Sequence, residues 1–472
     1  MLSSRATRKK VYRDLDCLCS SLAINCFQLS CCIPDVPQIE FPCKSLTNTW
    51  KAQLIECQPQ LKLRDLVIPA SHDSGSYSLQ ATTPFSASGR TQNVSIYEQL
   101  LLGARFLDLR VAGAGQENAS DVYIFHGCLQ CTKLETVLEE IKSFMEQHPQ
   151  EFIFVEVVAE YGRLYTDEQK LHTLELLTAT FGESIYNGKL GYQNLMNKWT
   201  LAQVVTGQKK NMCVMVHPRM YKFEVNDKIY LEETILDDFG FVNSHRWQRS
   251  HWHNTRDLNQ LQEWNLEEVR KYGTQQNKML TNQIILTPGV GGVLDVVKLL
   301  LGGNSLRPVS FATALYKSEV LDLYFRDHAE EPWNLIMLDY IDLTPALVCF
   351  LISLNFPPTL QILKADVIVV DANDNETTNE KSEVDITDLV KSHVKRNRVL
   401  YLTDIQNDLK LDRERGTLKI AYKMEKNGQD NCFVLEVEFD PETEVLLSAF
   451  CRNQENSVHY SIRPEDYPQV VK

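Results

Sequence analysis

The chain lacks any apolar run that could cross a bilayer: its longest, Ala346 to Leu354, falls far short of the ~18 to 20 residues a spanning helix needs. Positive charge is also short, with 48 Lys and Arg against 62 Asp and Glu and a formal charge of -14 at pH 7. A nucleic-acid binder must neutralise phosphates with a basic face, so that class is disfavoured. Glycine and proline are sparse, 20 and 17 in 472 residues, which excludes collagen-like and low-complexity chains. The basic cluster Arg5, Arg8, Lys9, Lys10 and Arg13 is followed by Asp14, Asp16, cysteines and serines in place of the apolar centre of a signal peptide. The expectation is a cytoplasmic protein, peripheral to membranes at most, with the secretory route left open. Sequons at Asn93, Asn118 and Asn375 matter only on that route.

Cysteine is unevenly spread. Of 13 in the chain, Cys17, Cys19, Cys26, Cys31, Cys32, Cys43 and Cys57 crowd the first 57 residues. Reduced thiols, S-acylation beside the basic cluster, and disulfide or metal use are all open readings there. Cys128 and Cys131 form a CxxC without a second pair, which favours ordinary loop thiols over a redox or zinc motif.

From about Leu61 onward short apolar segments alternate with amphipathic ones, the pattern of an α/β protein with a parallel sheet. Strands are predicted at Asp65 to Ala70, Ala104 to Val111, Val122 to Phe125, Phe152 to Val158, Met212 to Val216, Gln283 to Leu286 and Asn334 to Asp339. A helix is predicted over Lys133 to Gln147, where Leu134, Val137, Leu138, Ile141, Phe144 and Met145 step by three and four. His148-Pro149 ends it. Further helices are expected at Asp167 to Thr180, Arg256 to Lys271, Leu294 to Leu301 and Thr344 to Leu354. Asp371 to Asp388 is acidic and reads as a solvated linker. Beyond it, Val399 to Thr403, Leu418 to Met424, Phe433 to Phe439 and Val445 to Phe450 read as antiparallel strands, a small β-rich appendage. The expected division is 1–55 Cys-rich segment, 56–365 barrel, 366–395 acidic linker and 396–472 appendage.

Ionisable residues recur where the predicted strands end: His72-Asp73, Asp108 and Arg110, His126, Glu156 and Asp339. In an α/β barrel those ends form the active-site rim. The period of two in Phe106-Leu107-Asp108-Leu109-Arg110 puts Asp108 and Arg110 on one face and the leucines on the other. Two imidazoles, a guanidinium and carboxylates suit phosphodiester cleavage: one imidazole takes a proton, the other gives one, and the arginine stabilises phosphate charge. The triplet His245, His251, His253 points to a metal only weakly, and Trp247 and Trp252 read as a pocket wall or surface cluster. Gly289, Gly291 and Gly292 lack the spacing of a nucleotide loop.

Ile68-Pro69-Ala70-Ser71-His72-Asp73-Ser74-Gly75, Gly103-Ala104-Arg105-Phe106-Leu107-Asp108-Leu109-Arg110 and Phe125-His126-Gly127 resemble the signature segments of the X domain of phosphatidylinositol-specific phospholipase C. The segment Glu151-Phe152-Ile153-Phe154-Val155 and the late strand Asn334 to Tyr340 are similar to the family's next and last segments. The resemblance implies a distorted TIM-type (β/α) barrel, with His72 as general base oriented by Asp339, Arg110 on the phosphate, and His126 as general acid assisted by Asp73. It further implies that Asp108 orients Arg110 or His126, and that Arg219, Trp252 and Asn254 line the headgroup pocket; where the bacterial pattern has a headgroup-contacting lysine near the end of the fourth strand, this chain reads Val155-Glu156-Val157-Val158-Ala159, which makes Glu156 a further candidate there. The large eukaryotic enzymes of this family hold calcium with oxygen ligands. Here a guanidinium, Arg110, stands where that charge would be, so no metal or other cofactor is expected. The implied substrate and partner is a phosphatidylinositol-type lipid at a membrane surface. Two rivals remain: a barrel that binds inositides or membranes without turnover, and a metal-dependent lipid phosphodiesterase.

Overall fold

The computed structural model describes residues 47–79, 89–115, 118–255, 257–287 and 331–355, and shorter stretches at 321–329, 360–370, 382–390, 400–401, 415–426, 429–439, 446–447 and 457–462 with single residues left out among them. The Cys-rich segment up to residue 46, Gly289 to Gly292, the helix expected at Leu294 to Leu301, and Asn375 with most of the acidic stretch around it lie outside the described residues. The chain forms two compact units.

The first unit is built on a ten-stranded sheet. Its strands include β1 (Ile68–Ser71), β2 (Phe106–Gly113), β3 (Val122–His126), β4 (Leu129–Lys133), β5 (Ile153–Ala159) and β6 (Met212–Val216). After the hairpin β7 (Phe223–Val225) and β8 (Lys228–Tyr230) come β9 (Val242–Asn243), β10 (Gln248–His251), β11 (Met279–Ile284) and β12 (Leu335–Leu338). The order is β10-β11-β12-β1-β2-β5-β6-β9, and each pair along it is parallel. The hairpin β3–β4 hangs from the end of β2. Helices α1 (Ile96–Leu101), α2 (Leu134–Gln147), α3 (Asp167–Phe181), α4 (Glu232–Phe239) and α5 (Leu258–Tyr272) supply crossovers between strands. The predicted α/β barrel is the observed architecture, with one distortion. Among the described residues no ladder joins β9 to β10, so the sheet is open there. The reason is chain length: only the single turn Ser244–Trp247 separates them, whereas a return to a parallel neighbour takes a dozen residues or more.

The alternation of β2 and β5 builds the interior. Leu107, Leu109 and Val111, with Ile153, Val155, Val157 and Ala159, face outward into the core shared with α2 and α3. The other face of each strand points inward, and the register pairs Phe106 with Phe154, Asp108 with Glu156, and Arg110 with Val158. The phenyl rings stack at 6.4 Å, making an apolar floor beneath a rung of carboxylates. Ser71 pairs with both Leu107 and Leu338, so one residue further on His72, Asp108 and Asp339 come level.

Below the floor, Arg105 and Glu151 form a buried ion pair at 2.6 Å. Arg105 also donates to the carbonyls of Leu100 and Ala104 and lies over the ring of Phe144. That pair fixes where β2 and β5 begin.

In the second unit, Trp50–Cys57 and Pro345–Ser353 are helical. An antiparallel sheet runs in the order β14 (Ser382–Asp385), β13 (Leu360–Val370), β16 (Arg415–Lys426), β17 (Gln429–Phe439), β19 (Ser457–Ile462). A second small ladder pairs β15 (Leu400–Tyr401) with β18 (Leu446–Leu447). Strands β13 and β14 thus come from the stretch divided, on sequence, between the end of the barrel and the acidic linker.

Candidate active site

Asp73 sits at the centre of the rim. It follows β1 in the left-handed region, φ 42° and ψ 51°, where a non-glycine residue is held only by its surroundings. Its carboxylate lies 3.4 Å from His72 Nε2, 3.3 Å from His126 Nε2 and 3.0 Å from Arg110 Nε. Arg110 also donates to Asp108, from Nε to both oxygens at 3.1 Å and from Nη2 at 3.0 Å. Asp339 accepts from His72 Nδ1 at 2.8 Å. All six residues expected at the centre of the site, His72, Asp73, Asp108, Arg110, His126 and Asp339, therefore share one hydrogen-bonded and ion-paired cluster.

The acceptors fix the ring protons. A carboxylate and a backbone carbonyl only accept, so His72 Nδ1 carries hydrogen toward Asp339 and His126 Nδ1 carries hydrogen toward the carbonyl of Gly89. The Nε2 atoms of both rings are left facing the same carboxylate. Burial alone would hold the His72 pKa down, but Asp73 and then Asp339 outweigh it and raise it to about 9. Asp73, though buried, stays below the usual carboxylate range because Arg110, His72 and His126 surround it.

A second set of residues, not picked out from sequence, holds this cluster in place. Gln92 Nε2 donates to the carbonyls of His72 at 3.1 Å and Leu338 at 3.0 Å. Thr91 Oγ1 donates to the His72 carbonyl, and Tyr340 donates its hydroxyl to the carbonyl of Arg90. The segment carrying Gly89, and hence the acceptor for His126, is thereby tied across β1 and β12. Ser74 Oγ donates to the Ser71 carbonyl and accepts from the Asp108 N–H. Serines, threonines and glutamines in loops give no periodic signal, which is why pattern alone does not find them.

The expected headgroup residues are more scattered. Glu156 is buried on the Asp108 rung and accepts from Gln248 Nε2 at 2.6 Å. Burial and the charge of Asp108 push its carboxyl upward. Glu160, unremarked in the sequence reading, is also buried just beyond β5 and is pushed up by burial, with Arg110 opposing. Arg219 lies after β6, against the carbonyl of Ala159 and over the ring of Tyr161. Nearby, His217 is driven down to about 3 by burial, His245, Arg219 and Arg110. Trp252 is exposed and donates to Thr287 Oγ1 at 2.8 Å, and Asn254 is exposed with φ 50°. Cys128 and Cys131 form no disulfide, and burial pushes Cys131 up to about 12, far from a reactive thiolate.

His72, Asp73 and Asp108 present ligand atoms within 4.8 Å of one another. A calcium ion does not fit this arrangement. Such a hard cation needs free oxygen donors, and the carboxylates of Asp73 and Asp108 already engage Arg110.

Fold and site together define a parallel α/β barrel protein with a paired-imidazole, guanidinium and carboxylate cluster at its C-terminal rim. Residues 66–204 match the model for phosphatidylinositol-specific phospholipase C, X domain. Human PI-PLC X domain-containing protein 2 is 32% identical over 144 residues, 26% of this chain and 46% of that protein. The chain thus spans about half the length of that relative. Zebrafish (Danio rerio) PI-PLC X domain-containing protein 3 is 22% identical over 333 residues, 65% of this chain and 92% of that protein. Among solved structures, phosphatidylinositol-specific phospholipase C from Listeria monocytogenes aligns with a TM-score of 0.46 at 17% identity, over 66% of this chain and 99% of that one. Among the described residues no helix is long and apolar enough to cross a membrane.

Proposed function

We propose that the protein cleaves phosphatidylinositol-type lipids at a membrane surface without a metal ion, releasing diacylglycerol and inositol 1,2-cyclic phosphate. One observation carries this reading: the Nε2 atoms of His72 and His126 converge on Asp73 beside the Arg110 guanidinium, with each Nδ1 pinned from behind. In the proposed reaction the inositol 2-hydroxyl attacks phosphorus and the bond from phosphorus to the glycerol oxygen breaks. His72 Nε2 takes the hydroxyl proton, and His126 Nε2 gives a proton to the departing oxygen. Arg110 stabilises charge on the non-bridging phosphate oxygens, and Asp108 keeps it aimed. Asp339 and Asp73 orient the two rings. Water and solvent protons then restore the starting protonation states.

Arg219, Trp252 and Asn254 are proposed to meet the headgroup. Glu156, buried beneath the rim, is proposed to tune the field around Asp108. The test is to incubate the full-length protein with phosphatidylinositol vesicles and follow phosphorus NMR. A cyclic phosphodiester should appear, and His72→Ala and His126→Ala should each lower its rate by at least ~10² with the fold intact. No cyclic product from folded protein across a panel of inositol lipids would leave the non-catalytic binding barrel as the better reading.

A further inference from the structure

We propose that His251, His253 and Glu268 form a zinc-class metal site that ties the end of edge strand β10 to helix α5. These residues play no part in the proposed acid/base chemistry. His251 closes β10, and His253 follows two residues later. The two imidazole centroids are 4.5 Å apart. Glu268, from α5, turns one oxygen to each ring: Oε1 lies 3.0 Å from His251 Nδ1 and Oε2 3.5 Å from His253 Nε2. All three residues offer ligand atoms within 4.8 Å of one another.

Glu268 is ion-paired with both rings, but only its contact with His251 is a hydrogen bond. His251 and Glu268 satisfy each other, but His253 Nε2 and Glu268 Oε2 are buried polar atoms without a hydrogen-bond partner. The His253 side chain is 6% exposed and is backed by Trp264 at 5.2 Å, so water does not supply the missing bond cheaply. A cation between these atoms satisfies both. Zinc bound by nitrogen and oxygen at ~2.1 Å in a tetrahedron separates its ligands by about 3.4 Å, which matches the 3.5 Å between His253 and Glu268. Two imidazoles and one carboxylate with a fourth position free are zinc-class ligands, whereas calcium and magnesium prefer oxygen alone. The location gives the ion a structural task. No strand pairs with the outer side of β10 among the described residues, and the ion would anchor that end of the open sheet to its own crossover helix.

The test uses the full chain stripped of metal and titrated with Zn²⁺, then with Co²⁺ as a spectroscopic probe. Because the sequence is rich in cysteine near its start, the cobalt spectrum must separate nitrogen and oxygen ligation from thiolate ligation, which adds a sulfur charge-transfer band. The expected result is one cobalt site free of that band, and a zinc-dependent rise in melting temperature. His251→Ala, at a side chain 61% exposed, and Glu268→Gln should each weaken this site by at least ~10-fold with unchanged circular dichroism, and should abolish the thermal gain. A cobalt spectrum that is purely thiolate, or variants that bind as the parent does, would overturn the proposal.

Discussion

At the scale of single residues, the proposed chemistry turns on what Asp73 does to His72. A general base must be neutral to accept a proton, yet Asp73 and Asp339 hold His72 protonated until about pH 9. At pH 7 about one molecule in a hundred then has the base ready. Because kcat/KM reports the free enzyme and needs His72 neutral while His126 is protonated, the limb that His72 controls should fall near pH 9. Asp73→Asn removes the strongest influence that raises His72, so the limb should move to lower pH by a unit or more even as the maximal rate falls. A purely structural Asp73 would lower the rate and leave the limb where it was; a pH–rate series on both proteins separates these outcomes.

At the scale of elements, the site depends on how closely β1, β2 and β5 are held. Gly75 follows the His72-Asp73 turn, and a Cβ there would come within 2.6 Å of the Ile124 side chain on β3. Ile124 is buried and β-branched, so it has little freedom to yield. Gly75→Ala should cost about 1 to 3 kcal/mol in denaturant unfolding and lower turnover together with stability. The Arg105–Glu151 pair is a second such point, being buried on both sides. Glu151→Ala strands the guanidinium and should destabilise by about 3 to 5 kcal/mol, with a loss of midpoint at constant slope. A change below about 1 kcal/mol would show that the pair does not hold the two strand starts together.

At the scale of the whole molecule, the question is which cation serves the rim. With a formal charge of -14, the protein attracts divalent ions generally, yet both carboxylates suited to calcium engage Arg110. Turnover should therefore stay within about twofold between calcium-free buffer and about 1 mM calcium, while Arg110→Ala should lose roughly 3 to 4 kcal/mol of transition-state stabilisation. Calcium-dependent turnover of the parent protein would return the metal-dependent reading to first place. Zinc at His251, His253 and Glu268 would act on the stability of the open edge, so a melting curve and a rate assay report the two cation effects separately.

The alternation of strands and helices from Leu61 on, the phase of Phe106-Leu107-Asp108-Leu109-Arg110, and the helical stepping of Leu134 to Met145 were legible because burial imposes periods of 2 and 3.6 directly on residue type. The central six residues of the site were legible because charged groups are out of place at the ends of buried strands. Strand β10 was not, since Gln248, Arg249, Ser250 and His251 carry no apolar alternation and all but Gln248 are exposed. The strands of 360–370 and 382–385 were obscured by the acidic composition beginning between them, because antiparallel pairing is decided by a distant partner, β16, and not by local sequence. Only the tertiary structure decided that Asp73 bridges both imidazoles and the guanidinium, that Gly89 supplies the acceptor behind His126, and that the sheet stays open between β9 and β10. Each of these depends on distances between segments far apart in the chain, and a sequence records the residues that can meet without recording which of them do.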